Sequence, residues 1–125
     1  MAHRSASEHP DPLPGSFLPL PKDVFHILVS LADQDRHGYS VMQDVAERTA
    51  GTVRLSPSSL YSAIRRLLEQ GLIAELSERP AQDDERRRYY RLTPLGRGVA
   101  QAEVRRMEQL LASARQVGLI PDGPR

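Results

Sequence analysis

The sequence predicts a mainly α-helical fold with a small β-hairpin. Four segments carry apolar residues at helical spacing between helix-start and helix-stop signals, and two short segments before the fourth helix have the character of strands. The 125 residues suffice for one compact domain and leave no room for a second. Cysteine is absent, so the fold rests on its apolar core without disulfides.

Residues 1–20 are predicted to form a flexible arm, because prolines are dense in this part of the chain. Five prolines fall between positions 10 and 21, and proline interrupts both helices and strand ladders. Phe17, Leu18 and Leu20 near the end of the arm are apolar and are candidates for docking onto the domain.

The first helix is predicted over residues 21–33, with a proline at its first position. Its apolar residues cover more than half of the circumference, which is more than a surface helix needs. We therefore expect this helix to be covered on two sides. The apolar residues are Val24, Phe25, Ile27, Leu28, Val29, Leu31 and Ala32.

The second and third helices are separated by short segments. Gly51 and Gly71 are stop signals after the two helices. Ser56 is a good N-cap for the third helix, and Pro57 suits its first position. The predicted elements are a turn at residues 35–38, the second helix at 39–49, an extended link at 52–55 and the third helix at 57–70.

Strands are predicted over residues 72–78 and 86–92, joined by an acidic loop. Thr93 and Pro94 open the last helix, which Gly118 ends. This order of elements is that of a winged helix-turn-helix with an added C-terminal helix. The chain is thus predicted to comprise the arm at residues 1–20, a winged helix-turn-helix DNA-binding domain at 21–92, a dimerisation helix at 93–118 and a loose tail at 119–125.

The exposed face of the third helix suggests contact with double-stranded DNA. Short hydroxyl side chains let a helix enter the major groove, and arginines reach base edges or phosphates. The alternative is an ordinary solvated helix face. The residues of this face are Ser58, Ser59, Tyr61, Ser62, Arg65 and Arg66.

The returning strand of the hairpin carries Arg86, Arg87 and Arg88, which would flank a phosphate backbone. Strand alternation turns one of the two following tyrosines inward. Acidic residues of the hairpin could instead neutralise these arginines, since residues 54–91 hold eight basic and six acidic side chains. A winged-helix module that binds a protein without strong DNA binding therefore stays open as an alternative.

The last helix carries a heptad-like apolar stripe and is too long for one small core to cover. Together with the wide apolar surface of the first helix, this stripe predicts a homodimer. The alternative is a helix packed wholly onto its own domain. The predicted dimer residues are Phe25, Val29, Ala100, Val104, Met107, Leu110, Leu111 and Ala114.

Several function classes are disfavoured by composition. The four histidines lack metal-ligand spacing, and neither a nucleophile elbow nor a phosphate loop is present, so we expect no metal site and no enzyme. No apolar run is long enough to span a bilayer. The N-terminus lacks the apolar stretch of a signal peptide, which predicts a cytoplasmic protein.

In combination, four motifs resemble the PadR family of bacterial transcriptional regulators, and the single C-terminal helix resembles its short-chain subfamily. The resemblance covers about residues 20–117. The motifs are His37-Gly38-Tyr39, the run from Leu55 to Tyr61, the Arg66-Leu67 and Gly71-Leu72-Ile73 segments, and the run from Arg86 to Gly96.

The resemblance implies a homodimer that represses transcription from inverted-repeat operators. It implies that the third helix reads the major groove and that the wing touches the backbone or minor groove. Tyr39 is implied as a phosphate contact. Multidrug-binding members hold ligands between tryptophans, which this chain lacks. We therefore predict no cofactor, and an unidentified small-molecule inducer between the first and last helices stays open.

Overall fold

The computed structural model describes residues 12–77 and 87–121, so residues 1–11, the loop 78–86 with Arg86, and the end of the tail lie outside the description. The predicted mainly helical fold with a small sheet is confirmed. The elements are a 3-10 helix at Pro14–Phe17, α1 at Lys22–Asp33, β1 at Arg36–His37, α2 at Gly38–Arg48, α3 at Pro57–Glu69, β2 at Ile73–Glu75, β3 at Tyr89–Leu92 and α4 at Pro94–Gln116.

Three helices begin at a residue whose side chain accepts a hydrogen bond from the first turn. Ser56 accepts from the N–H of Ser59 at 3.1 Å, and Thr93 accepts from the N–H of Gly96 at 3.0 Å. These bonds satisfy backbone donors that a helix start leaves unpaired. The third cap is His37, whose Nδ1 accepts from the N–H of Ser40 at 3.2 Å.

The sheet has three antiparallel strands in the order β1–β3–β2, so the prediction of a hairpin alone was incomplete. The segment predicted as a turn contains β1, which pairs Arg36 with Tyr90 and His37 with Tyr89. On the other side of β3, Ile73 pairs with Leu92. A strand of two residues is too short to show the alternation by which strands are recognised in a sequence.

The core lies between the first three helices and one face of the sheet. Its fully buried side chains include Ile27 and Leu28 of α1, Leu60 of α3, and Leu72 beside β2. From α4, Val99 completes the cluster. Burial of these apolar side chains is the main stabilising contribution to the fold.

The second half of the predicted flexible arm is a correction to the sequence analysis. Residues 12–20 contain the 3-10 helix and pack against α4, with Phe17 and Leu18 against the core. The N–H of Leu20 lies 3.4 Å from Oε2 of the buried Glu103, which also accepts two hydrogen bonds from Arg106. Apolar burial against a distant helix therefore orders this proline-rich segment.

An ion-pair network joins the end of α1 to α2. Arg36 contacts Asp33 at 2.8 Å and Asp44 at 3.2 Å, and Arg48 contacts the same two carboxylates at 2.9 and 2.6 Å. Burial raises the pKa of the Asp44 carboxyl, but the hydrogen bond from Arg48 and the nearby guanidinium charges outweigh burial. The pKa of Asp44 consequently lies below its usual value.

Two glycines in the first turns of α4 provide a test of this packing. A Cβ on Gly96 would overlap the Leu72 carbonyl oxygen and lie 2.7 Å from Cδ1 of Leu92, whereas a Cβ on Gly98 would lie 3.4 Å from Pro14. We expect Gly96→Ala to lower the free energy of unfolding by about 1–3 kcal/mol, since backbone cannot move aside cheaply. Gly98→Ala should be neutral or stabilising by up to about 1 kcal/mol. Chemical denaturation measures both, and equal stability of the two variants would contradict the packing.

Candidate nucleic-acid interface

α3 buries one face and presents the other to solvent, as its spacing predicts. Leu60, Ala63, Ile64 and Leu67 face the core. Ser62 is half-buried, and the other predicted contact residues of the helix are exposed. Within the part of the chain that the structure describes, Arg65 and Arg66 form no ion pair, so their guanidinium groups are available to a partner. These contact residues are Ser58, Ser59, Tyr61, Arg65 and Arg66.

Tyr61 lies against the start of α2, because Gly38 has no side chain. A Cβ at Gly38 would lie 2.5 Å from the Tyr61 hydroxyl oxygen and 2.8 Å from Cζ of the same ring. Gly38 is buried, whereas Tyr61 remains 44% exposed. The glycine of the His37-Gly38-Tyr39 motif therefore allows α2 and α3 to approach each other at this ring.

The arginines of the wing differ in how far acidic residues engage them. Arg91 donates to both carboxylate oxygens of Asp35, at 3.1 and 2.7 Å, and these hydrogen bonds hold the pKa of the Asp35 carboxyl below its usual value. Arg88 lies 3.3 Å from the Glu75 carboxylate, and 65% of its side chain is exposed. Acidic side chains thus neutralise part of the wing, as the alternative interpretation predicted.

The predicted inward turn of one wing tyrosine is confirmed at Tyr90, which is 4% exposed. Burial is the main reason that its hydroxyl pKa is raised. The neighbouring Tyr89 makes an edge contact with the ring of His37, with ring centroids 5.3 Å apart. The wing is therefore anchored at its base by aromatic side chains, while Arg87 and Arg88 are exposed.

A cleft of about 380 Å³ lies between α3, the start of α2 and the base of the wing. In this cleft, Nη1 of Arg87 is 3.3 Å from Nε2 of His37. The cleft brings together four predicted contact residues, and it adds His37, which sequence reasoning assigned to a turn. Its position directly before a helix was the signal that could have identified it as a cap. The cleft is lined by His37, Gly38, Tyr39, Tyr61, Arg87 and Arg88.

Other predicted contact residues lie in a second groove, between α3 and the start of α1. Ser59, Ser62 and Arg66 line this groove together with Lys22 and Asp23. The candidate surface therefore extends from the α1 side of α3 to the wing. Arg65 lies on the exposed face of α3 and lines neither the groove nor the cleft.

A separate apolar surface occurs on α1 and α4. Phe25 and Val29 face Ala100 and Val104 across a groove of about 440 Å³. Further along α4, Leu110 and Leu111 are 57% and 51% exposed. No residue of α4 after Glu103 is buried. Met107 and Ala114 are half-buried, so all eight predicted dimer residues remain at least partly accessible on the single chain.

Two kinds of site are missing from residues 12–77 and 87–121. No group of three or more histidine or acidic side chains is arranged to hold a metal ion. No helix in these ranges is both long enough and apolar enough to cross a membrane.

The chain matches the Transcriptional regulator PadR-like family over residues 27–102. It is 37% identical over 85 residues to the transcriptional regulator Rv3488 from Mycobacterium tuberculosis, and the alignment covers 68% of this chain and 75% of that relative.

Solved structures have the same fold. A PadR family transcription regulator from Clostridium difficile superposes with a TM-score of 0.65 at 23% identity, covering 75% of this chain and 95% of that one. BpsR from Bordetella bronchiseptica superposes with a TM-score of 0.60 at 27% identity, covering 82% and 69%. The BpsR work concerns regulation of its DNA binding by 6-hydroxynicotinic acid.

Proposed function

Because this chain belongs to the PadR-like family of transcriptional regulators, whose members are not enzymes, we propose that it is a homodimeric repressor of an inverted-repeat DNA operator. The observation that carries this proposal is the exposed face of α3. Two arginines without ion pairs among the described residues follow short hydroxyl side chains there. Such a face fits the major groove, where arginine can donate two hydrogen bonds to a guanine edge.

The wing supplies the second part of the proposed interface. Arg87 and Arg88 are exposed beside the cleft and would contact the phosphate backbone, as would Arg86 next to them in the sequence. Such contacts position a protein on DNA without reading its sequence. Tyr39 at the start of α2 would contribute a hydroxyl to the same strand. The protein would act on DNA in the cytoplasm.

Dimerisation is supported by the uncovered apolar surface of α1 and α4. A second copy that covers Leu110, Leu111 and the α1–α4 groove would remove these side chains from water. The same groove is the proposed position of a small-molecule inducer, since it is concave and mainly apolar. No further cofactor is part of the proposal.

Sequence reading by Arg65 and backbone contact by Arg87 can be separated by mutation. Once genome-wide mapping of binding sites has identified the operator, Arg65→Ala should lower operator affinity by about 1–3 kcal/mol more than affinity for a scrambled duplex. Arg87→Ala should weaken both about equally and make the slope of log affinity against log salt shallower by about one unit. Titrations of both duplexes at several salt concentrations measure these effects.

Arg115→Ala removes a cation from the far end of α4 and serves as the control, which should bind like the wild type. An unchanged ratio of operator to scrambled affinity in Arg65→Ala would contradict base reading by that residue. If neither Arg65→Ala nor Arg87→Ala changes DNA binding, the protein-interaction module becomes the better interpretation.

Glu75 should compete with DNA for Arg88, because its carboxylate already lies beside the guanidinium group. We expect Glu75→Gln to strengthen binding to any duplex by up to about fivefold at low salt, since an exposed pair contributes up to about 1 kcal/mol. Glu108→Gln on α4 makes the same change in net charge away from the wing. Equal affinities of the two variants would show that net charge, and not release of Arg88, is responsible.

Leu111→Asp should produce folded monomers. The Leu111 side chain lies outside the core of its own chain, so the protomer should keep its helicity. In a dimer the new carboxylate would be buried without a partner, at a cost of about 3–5 kcal/mol. Gln109→Asp is the matched control, because residues two positions apart lie on opposite sides of a helix. Light scattering and circular dichroism measure mass and helicity, and a wild-type monomer at micromolar concentration would contradict the dimer.

A further inference from the structure

We propose that His37 is a DNA contact as well as a helix cap, and that it donates its Nε2 hydrogen to a backbone phosphate held in the cleft beside Arg87. This inference rests on the proposed DNA-binding function and assigns a residue to it that the sequence placed in a turn. Two contacts of the imidazole ring carry the inference, one at each ring nitrogen.

The first contact determines which ring nitrogen carries the hydrogen. Nδ1 of His37 accepts a hydrogen bond from the backbone N–H of Ser40 at 3.2 Å, so Nδ1 carries no hydrogen itself. In a neutral imidazole the hydrogen then resides on Nε2, which is a donor. The cap of α2 therefore selects the tautomer, as the bond at one ring nitrogen usually does.

The second contact places another donor beside this one. Nη1 of Arg87 lies 3.3 Å from Nε2 of His37, and a guanidinium group has donors but no acceptor. The two groups cannot satisfy each other in this tautomer. One anionic oxygen that sits against both, however, accepts a hydrogen bond from each. A phosphate oxygen of the DNA backbone is such an acceptor.

The surroundings of this donor pair suit a phosphate on a DNA strand rather than a small enclosed anion. The cleft is open to solvent and runs from the wing to Tyr61 on α3, the helix proposed to enter the major groove. Arg88 and the exposed Tyr39 lie along the same cleft. A strand leaving the major groove would therefore pass the donor pair on its way to the wing.

The fixed ring of His37 also explains why a histidine is useful at this cap. Ser40 holds the ring on one edge, and the ring of Tyr89 packs against it at an interplanar angle of 85°. A donor held in place loses little conformational entropy when it binds. Because the ring is neutral, its contact with a phosphate should add affinity without releasing a counterion.

The variant His37→Asn separates the two roles. Asparagine is among the best N-cap residues, so α2 should keep its cap, but its short side chain places no donor in the cleft. Affinity for a mixed-sequence duplex of about 30 base pairs at low salt should fall about tenfold, with an unchanged slope of log affinity against log salt. Arg87→Ala, measured alongside, should weaken binding and make the slope shallower by about one unit.

Thermal unfolding followed by circular dichroism should show that His37→Asn is as stable as the wild type. If the variant is as stable and binds the duplex as tightly as the wild type, the phosphate contact is overturned while DNA binding itself stands. A slope shallower by about one unit in His37→Asn would show that the ring binds as a cation, which overturns the neutral donor. If the wild type binds no duplex, the proposed function fails together with this inference.

Discussion

The pairing of β3 with a strand on each side fixes the wing relative to the rest of the domain. Tyr90 lies opposite Arg36 of β1 and opposite Glu75 of β2. Its ring is buried, so a slip of one residue would turn Tyr90 to solvent and Arg91 into the core. Since β1 leads directly into α2, the same pairing places the start of α2 beside the wing arginines. The cleft and its donor pair thus depend on the register of one four-residue strand.

How much of this architecture a sequence can predict depends on how local its signals are. Ser56 and Thr93 cap their helices through residues three positions away, so both helix starts were predictable. β1 was missed because two residues carry no periodic pattern, and its pairing partner lies more than fifty residues further along the chain. The ordered segment 12–20 was missed for the same kind of reason, since its burial depends on α4 and not on its own prolines.

The candidate site shows the same division. Helical periodicity alone predicted which side of α3 faces solvent, including Arg65 and Arg66. It could not predict that Asp35 binds Arg91, because these residues are 56 positions apart in the sequence. Nor could it find His37 as part of the cleft, since a histidine cap is recognised by geometry and not by residue type.

The distribution of ion pairs explains how a chain with a net charge of +1 presents a positive surface. Asp33, Asp44 and Asp35 lie on or next to α1 and α2, and each engages an arginine away from the exposed face of α3. Their charges are therefore spent within the fold, and in the described residues no acidic side chain pairs with Arg65 or Arg66. The field that a partner meets at α3 follows from these unpaired arginines, and the balance of charges over the whole chain conceals it.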